Sequence, residues 1–421
     1  MIFHVDANSA FLSWTAAYRV KVLGETVDLR EIPSVVAGDK ESRKGIVLAK
    51  STPAKKYGIQ TGEPLFQALE KCPGLTVVEP DYALYVAASR KFVELLRQFS
   101  PCVEQYSIDE AWVDMTGTER LWGAPRLAAE AMRKRIYGEL GFTVNVGISS
   151  NKLLAKMAGD FEKPNKVHTL FPEEIEQKMW PLPVRDLFLV GGATQAKLNR
   201  MGIYTIGDLA KADVHLLQKK LGKHGQTIWH FANGRNADAV KPVQEANKGY
   251  GNSITTATDV VTREQAYKVL MGLCETVAAR MRQDGMCGGC VTVHLRTTEF
   301  HNFSHQSRLP GATNITEELF REACRIFDEA WDGITPLRQL GVQMTHLARE
   351  PYQQFDLFSD LTPQRYERKL KLDETVDLLR DRFGENIIRR GKFADCAEGH
   401  MVGGLDKERR TGVTKPVPKE F

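Results

Sequence analysis

Short β-branched runs that end in acids mark the first part of the chain. Phe3-His4-Val5 leads into Asp6, and Tyr106-Ser107-Ile108 leads into Asp109 and Glu110, with Ala111-Trp112-Val113-Asp114-Met115 carrying the second run onward. Both segments read as short strands. Asn8 to Tyr18 reads as a helix with Asn8 or Ser9 as its cap. A stretch from 24 to 75 is rich in Gly, Pro and Lys and predicts short elements, a small insertion within one domain. Helical periodicity returns over Tyr82–Phe99 and Leu127–Leu140, Phe142–Ile148 reads as a strand, and Asn151–Ala158 begins another helix. Mixed in this order, the elements predict an α+β or α/β catalytic core.

Two later stretches have their own patterns. Pro183 to Leu189 leads into Val190-Gly191-Gly192-Ala193-Thr194, a helix, and then Met201-Gly202-Ile203-Tyr204-Thr205-Ile206-Gly207-Asp208-Leu209. This is a helix, a glycine-containing hairpin and another helix, whose freed N–H groups suit a phosphate regardless of base; a helical bundle with glycine caps gives the same pattern. Residues 248–349 predict strand (Ser253–Val261), helix (Arg263–Gln283), strand (Val291–Thr298), strand (Phe303–Arg308), helix (Thr316–Trp331) and strand (Leu340–Leu347). That β-α-β-β-α-β order is a compact ferredoxin-like module. Thr362–Phe383 reads as a charged helix with Leu370, Val376 and Leu379 on it, docked or solvated, and 394–421 as a poorly ordered end.

Composition narrows the class without naming it. A length of 421 residues predicts two to four domains, and 42% hydrophobic with 26% charged residues is an ordinary globular mixture. No run approaches the roughly 18 apolar residues of a membrane span, and MIFHVDANSA lacks the order of a signal peptide. A cytoplasmic protein is expected. Seven cysteines at irregular spacing fit a reducing compartment, and Cys287-x-x-Cys290 has no second pair to complete a zinc site. A net charge of +4 with no polybasic segment permits nucleic-acid binding only through arrangement in space.

The chemistry lies in the acids. Asp6, Asp109 and Glu110, if the fold joins them, cannot all stay ionised in a dry site without a cation, and hard oxygen ligands suit Mg²⁺. Such a group suggests two-metal phosphoryl transfer; the plainer reading makes Asp6 a helix cap and Asp109-Glu110 a surface turn. His301 and His305 have no carboxylate partner in the pattern and read as solvated polar groups.

HVDANSAF at 4–11, YSIDE at 106–110, VGISSNKLLAKMAGDFEKPN at 146–165, the glycine-containing helices near 190–209 and the later β-α-β-β-α-β module occur together, and in that order. Over residues 1–350 the chain resembles a bacterial-type Y-family, translesion DNA polymerase. The resemblance implies an α+β multidomain right-hand polymerase with a ferredoxin-like palm (1–20 and 75–165), small fingers (21–74) and a helix-hairpin-helix thumb (166–240). A linker (241–250), a β-α-β-β-α-β little finger (251–349) and a tail (350–421) follow.

It further implies that Asp6, Asp109 and Glu110 bind two Mg²⁺ beside the backbone carbonyl of Ala7, and that Phe11 is the steric gate against a ribose 2′-hydroxyl. Thr52, Lys55 and Lys163 fall at nucleotide-binding positions, and Gly191, Gly192 and Thr194 at DNA-binding ones. Asn8 stands where many members have a second acid, Thr52 where many have Tyr, and Lys55 where Arg is common. Lysine keeps the charge but not the bidentate geometry.

Gln354-Phe355-Asp356-Leu357-Phe358 resembles the pentapeptide by which bacterial polymerases bind the sliding clamp, its β subunit. The expected partners are primer-template DNA, dNTPs and that clamp, for a monomer of the SOS and DNA-damage response that does not engage membranes. Two alternatives compete: another two-metal enzyme on a related palm, such as a nuclease or cyclase, and a non-catalytic clamp- and DNA-binding repair protein derived from a polymerase.

Overall fold

The computed structural model describes residues 1–38, 45–243, 246–349, 363–384 and 387–393, most of which fall into two compact units, 1–37 with 46–243 and 246–349 with the later stretches. Gln354 to Phe358 and residues 394–421 lie outside the described residues. Among the described residues no helix is long and apolar enough to cross a membrane, and the six cysteines are free.

In the first unit β1 (Ile2–Ala7) is buried along its whole length and leads into α1 (Ala10–Lys21). Asn8 and Ser9 do not cap that helix: Ser9 takes a left-handed φ of 49° and accepts no capping bond, while the Asn8 amide donates to Asn145 Oδ1 at 3.1 Å. The polar side chain found a tertiary partner instead of a local one. The segment expected to hold short elements forms β2 (Ser34–Ala37), β3 (Val47–Lys50), α2 (Thr52–Lys55), α3 (Leu65–Lys71) and β4 (Thr76–Val78). Its sheet, ordered β3-β2-β4, has its own core of Val35, Val47, Ile59 and Leu65.

Next come α4 (Tyr82–Arg97), β5 (Val103–Gln105), β6 (Glu110–Asp114), α5 (Glu119–Trp122), α6 (Pro125–Leu140), β7 (Val144–Ser149), α7 (Lys152–Gly159) and β8 (Val167–Thr169). The main sheet runs β5-β6-β1-β7-β8, with β1 antiparallel to both neighbours. Phe3 and Val5 pack with Phe92 of α4 and Met132 and Ile136 of α6. Helix α7 approaches the β7 backbone so closely that a Cβ on Gly147 would stand 1.9 Å from the Ala155 carbonyl oxygen, which only glycine permits. Four helices complete the unit: α8 (Gly192–Asn199), α9 (Ile206–Lys211), α10 (Val214–Leu221) and α11 (Lys223–Ala232), around Leu198, Ile206, Leu217 and Ile228. Thr205 and Asp208 form a capping box that starts α9.

The second unit is β9 (Tyr250–Val260), α12 (Arg263–Gln283), β10 (Cys287–Thr297), β11 (Asn302–Thr313), α13 (Thr316–Ala330) and β12 (Leu337–Ala348), followed by α14 (Pro363–Phe383). The expected β-α-β-β-α-β order is present, and the antiparallel sheet is ordered β11-β10-β12-β9. Val291, Val293, Leu295, Val342 and Met344 form its core against Leu273, Val277 and Phe327 of the helices.

Helix α14 docks in this unit, and its seam is polar. Tyr366, Asp373 and Arg380 are its buried residues, while Leu370, Val376 and Leu379 are only half-buried. Arg282 of α12 bonds Asp377 at 2.6 Å and Asp373 at 3.2 Å, and Asp373 also accepts from the Thr316 N–H at 2.8 Å, capping α13. Glu275 meets Arg390 at 2.7 Å and Arg380 at 3.5 Å. Removing one partner from a buried pair leaves the other desolvated and unpaired. Arg282→Met is therefore expected to lower the free energy for opening α14 by about 3–5 kcal/mol. Hydrogen exchange of the α14 amides reads this, and unchanged protection would show that the pair contributes nothing.

Candidate active site

Asp6 is the penultimate residue of β1, where its Cα pairs with that of Glu110, the first residue of β6. Residues 106–109 are not the strand expected from their β-branched pattern but the connection that returns β5 into β6. The N–H groups of Tyr106 and Ser107 both donate to the Glu110 carbonyl, at 3.0 and 3.2 Å, and Ser107 Oγ donates to Asp109 Oδ1 at 2.6 Å. The Ala7 N–H then donates to the Asp109 carbonyl at 3.0 Å. This bond stitches the turn to the end of β1 and joins two acids 103 positions apart.

Each carboxylate is held by the chain's own donors. Glu110 Oε2 receives Lys156 Nζ at 2.6 Å and lies 3.2 Å from His4 Nε2. Burial would raise the Glu110 carboxyl, yet the hydrogen bonds from His4 and Lys156, with the Lys156 charge, bring it down to about 2. Burial lowers His4, leaving a neutral ring. Lys163 bonds the Asp6 carboxylate directly and reaches Asp160 at 2.8 Å. Burial tends to lower the Lys163 ammonium, but Asp6 and Asp160 raise it.

Asp6 moves against the usual behaviour of an ion-paired acid: it is pushed up to about 6, by burial first and then by the charges of Glu110 and Asp109, against the pull of Lys163. At Asp6 the pull of Lys163 does not offset burial and the two neighbouring carboxylates. Among the described residues no three His, Cys, Asp or Glu side chains stand as a ready-made metal site. Lys163, Lys156 with His4, and Ser107 each hold one of the acids. The three acids supply the hard oxygens that Mg²⁺ takes, and a cation beside Asp6 would favour its charged form. The donor set fits a divalent cation, with Lys163 the competitor for Asp6.

All three acids line one cavity of about 510 Å³ together with Ala7, Phe11, Thr52, Lys55 and Lys163. Phe11 is braced by an aromatic wall: its ring stacks on Tyr85 at 4.5 Å between centroids and meets Trp14 and Tyr82 edge-on at 6.1 and 6.3 Å. Thr52 and Lys55 belong to α2, whose cap Ser51 accepts from the Ala54 N–H and donates to the Ile32 carbonyl at 2.7 Å.

Sequence reasoning missed three contributors. Lys50, whose Nζ bonds the Ile59 carbonyl at 2.6 Å, lines the cavity. Burial, then the Lys55 charge, lowers its ammonium. Lys156 and His4 hold Glu110. His4 and Lys156 stand inside motifs already singled out, and their polar type on buried elements was the available signal.

Gly191, Gly192 and Thr194 are elsewhere in the unit, at the start of α8. A 3₁₀ turn, Val184–Asp186, precedes them, and the expected helix, glycine turn and helix are α8, the turn at Gly202 and α9. No heavy atom lies within 4 Å of a Cβ built on either glycine, and both residues are exposed. Internal packing gives no reason for glycine there.

Comparison with known proteins covers nearly the whole chain. Residues 5–160 match the impB/mucB/samB family, 247–357 match that family's C-terminal domain, and 185–236 match the thumb domain of DNA polymerase-iota. DNA polymerase IV of Clostridium acetobutylicum is 45% identical over 398 residues, which is 94% of this chain and 99% of the relative. DNA polymerase IV 2 of Bacillus subtilis is 37% identical over 405 residues, 94% of this chain and 95% of the relative. In structure, the chain is similar to a Y-family DNA polymerase chimera with a TM-score of 0.71 and 22% identity, across 83% of this chain and 99% of that one. Identity of this extent over almost full length, with the same α+β multidomain fold and thumb module, places the chain in the Y family of DNA polymerases and makes it a DNA-directed DNA polymerase.

Proposed function

We propose that this polymerase carries out translesion synthesis at the cavity around Asp6, and that Asp6, Asp109, Glu110 and the carbonyl of Ala7 hold two Mg²⁺ ions there. The observation that carries the proposal is that eight residues from four separate segments line one cavity. Held by these residues, the ions would supply the charge stabilisation that an in-line attack of a primer 3′-hydroxyl on a triphosphate requires. Lys156 and His4 keep the Glu110 carboxylate ionised and fixed on one oxygen. Lys163 exchanges its contact with Asp6 for one with the triphosphate, which leaves that acid free to ligate. Lys55 and Thr52, with Lys50 beside them, line the opposite wall as phosphate partners.

Phe11 acts as the gate, because a ring packed on Tyr85 has no space to withdraw before a 2′-hydroxyl. Gly191, Gly192 and Thr194 let a DNA backbone approach the start of α8. The palm, fingers, thumb and little finger run over 1–20 with 75–165, 21–74, 166–240 and 251–349. The enzyme works as a low-fidelity cytoplasmic monomer that gains processivity from the β clamp through 354–358.

Primer extension tests the centre of this reading. Asp109→Asn and Glu110→Gln should each lower incorporation at least about a hundredfold, as expected when charge stabilisation of the transition state is removed. Retained incorporation in either would reject the metal-site assignment. In the same assay Phe11→Ala should raise ribonucleotide over deoxynucleotide use at least about tenfold, and an unchanged ratio would reject the gate. Deleting Leu357 and Phe358 should shorten the products made with the clamp present and leave those made without it unaltered. Equal clamp affinity in the deleted protein would dismiss the pentapeptide.

A further inference from the structure

The β10–β11 hairpin of the second unit carries a residue that the fold does not explain. Phe300 sits at its tip with φ +66°, a left-handed conformation that is an outlier for a bulky side chain, and its surface is 60% exposed. The conformation is imposed on it. The Phe300 N–H donates to the Thr297 carbonyl at 3.0 Å, the His301 N–H to Thr297 Oγ1 at 3.2 Å, and the Thr297 N–H to the His301 carbonyl at 3.0 Å. Strain that the surroundings over-determine at an exposed position points to a role outside packing.

Two cations attend the ring. The Arg338 guanidinium lies 5.2 Å and that of Arg296 5.9 Å from its centroid. Arg296 is aimed by a bond from its Nε to Asn302 Oδ1 at 2.6 Å. Arg296 and Asn302 also line a cavity of about 470 Å³ with Ser253, His294 and Gln343. The one carboxylate beside the ring in sequence, Glu299, lies 3.7 Å from His301 Nε2.

We propose that Phe300, with Arg296 and Arg338, is a stacking site for an unpaired base of single-stranded DNA. With 60% of its surface exposed, the ring still offers π-surface to a base, and the guanidiniums over it suit both the base plane and the phosphate that follows. A duplex keeps its bases stacked on each other and offers this ring nothing comparable. The proposal rests on the DNA polymerase assignment and not on the active-site reading, so its test uses the full chain without nucleotide or divalent metal.

The probes are a single-stranded oligonucleotide carrying one 2-aminopurine, whose emission falls when it stacks, and a blunt duplex. Phe300→Gly removes the ring and suits the left-handed backbone, so the thermal midpoint should hold or rise. Its affinity for the single strand should fall about tenfold, within the range expected for one lost base stack. The fluorescence quench should disappear, while duplex affinity changes less than about twofold on the same stacking argument. Phe300→Trp should retain both affinity and quench. Unchanged single-strand affinity and quench in Phe300→Gly would overturn the proposal, as would an equal loss on the blunt duplex.

Discussion

Three carboxylates brought together at the end of a buried sheet repel one another, and much of the first unit is arranged around that repulsion. Lys156 reaches Glu110 at 2.6 Å only because α7 lies directly on the β7 backbone, and α7 lies there only because residue 147 has no side chain. His4, one turn of the pleat behind Asp6, contributes a neutral ring to the same oxygen. Asp6 is left with Lys163, a half-exposed side chain it shares with Asp160. The two ends of the site differ in charge preference: its donors bring Glu110 down to about 2, whereas burial above all pushes Asp6 up to about 6. Added positive charge therefore gains most at Asp6, the acid whose charged form burial disfavours.

The wall facing the acids is stiff for a different reason. Phe11 has rings on three sides, and Tyr85 behind it is fully buried with its hydroxyl 3.1 Å from Thr15 Oγ1. Ser51 joins the small sheet to α2 through three bonds, accepting from the Ser34 and Ala54 N–H groups and donating to Ile32. A wall whose supports are packed and bonded in this way has little room to yield, which is what the proposed gate at Phe11 requires.

The strands flanking the acids and the whole β-α-β-β-α-β order were legible, because both rest on runs of apolar residues at a period that one core imposes. Other features were not. Residues 106–109 carry strand-like side chains, yet Tyr106 and Ser107 spend their N–H groups on a single carbonyl and turn the chain. Asn8 has a capping residue's chemistry, but Asn145 and the Asn165 N–H took both ends of its amide. Helix α14 was read within one residue of its bounds, but its docking was opaque, because the seam of Tyr366, Leu370, Asp373, Asp377 and Arg380 keeps helical spacing with charges at the buried positions. Apolar periodicity is blind to an interface built from ion pairs.

A glycine or a strained residue can be required by the fold or by something outside it, and the space around it separates the two. At Gly147 a Cβ would meet backbone at 1.9 Å, so the requirement is internal and the helix above it is the cause. At Gly191 and Gly192 a Cβ would meet nothing within 4 Å, and Gly191 has an ordinary φ of −85°. Phe300 is the converse case, a bulky side chain kept where the backbone favours glycine. In neither place does packing inside the chain supply the reason. The partner proposed for both is the nucleic acid of a DNA polymerase, whose phosphates need close approach and whose bases need a flat face.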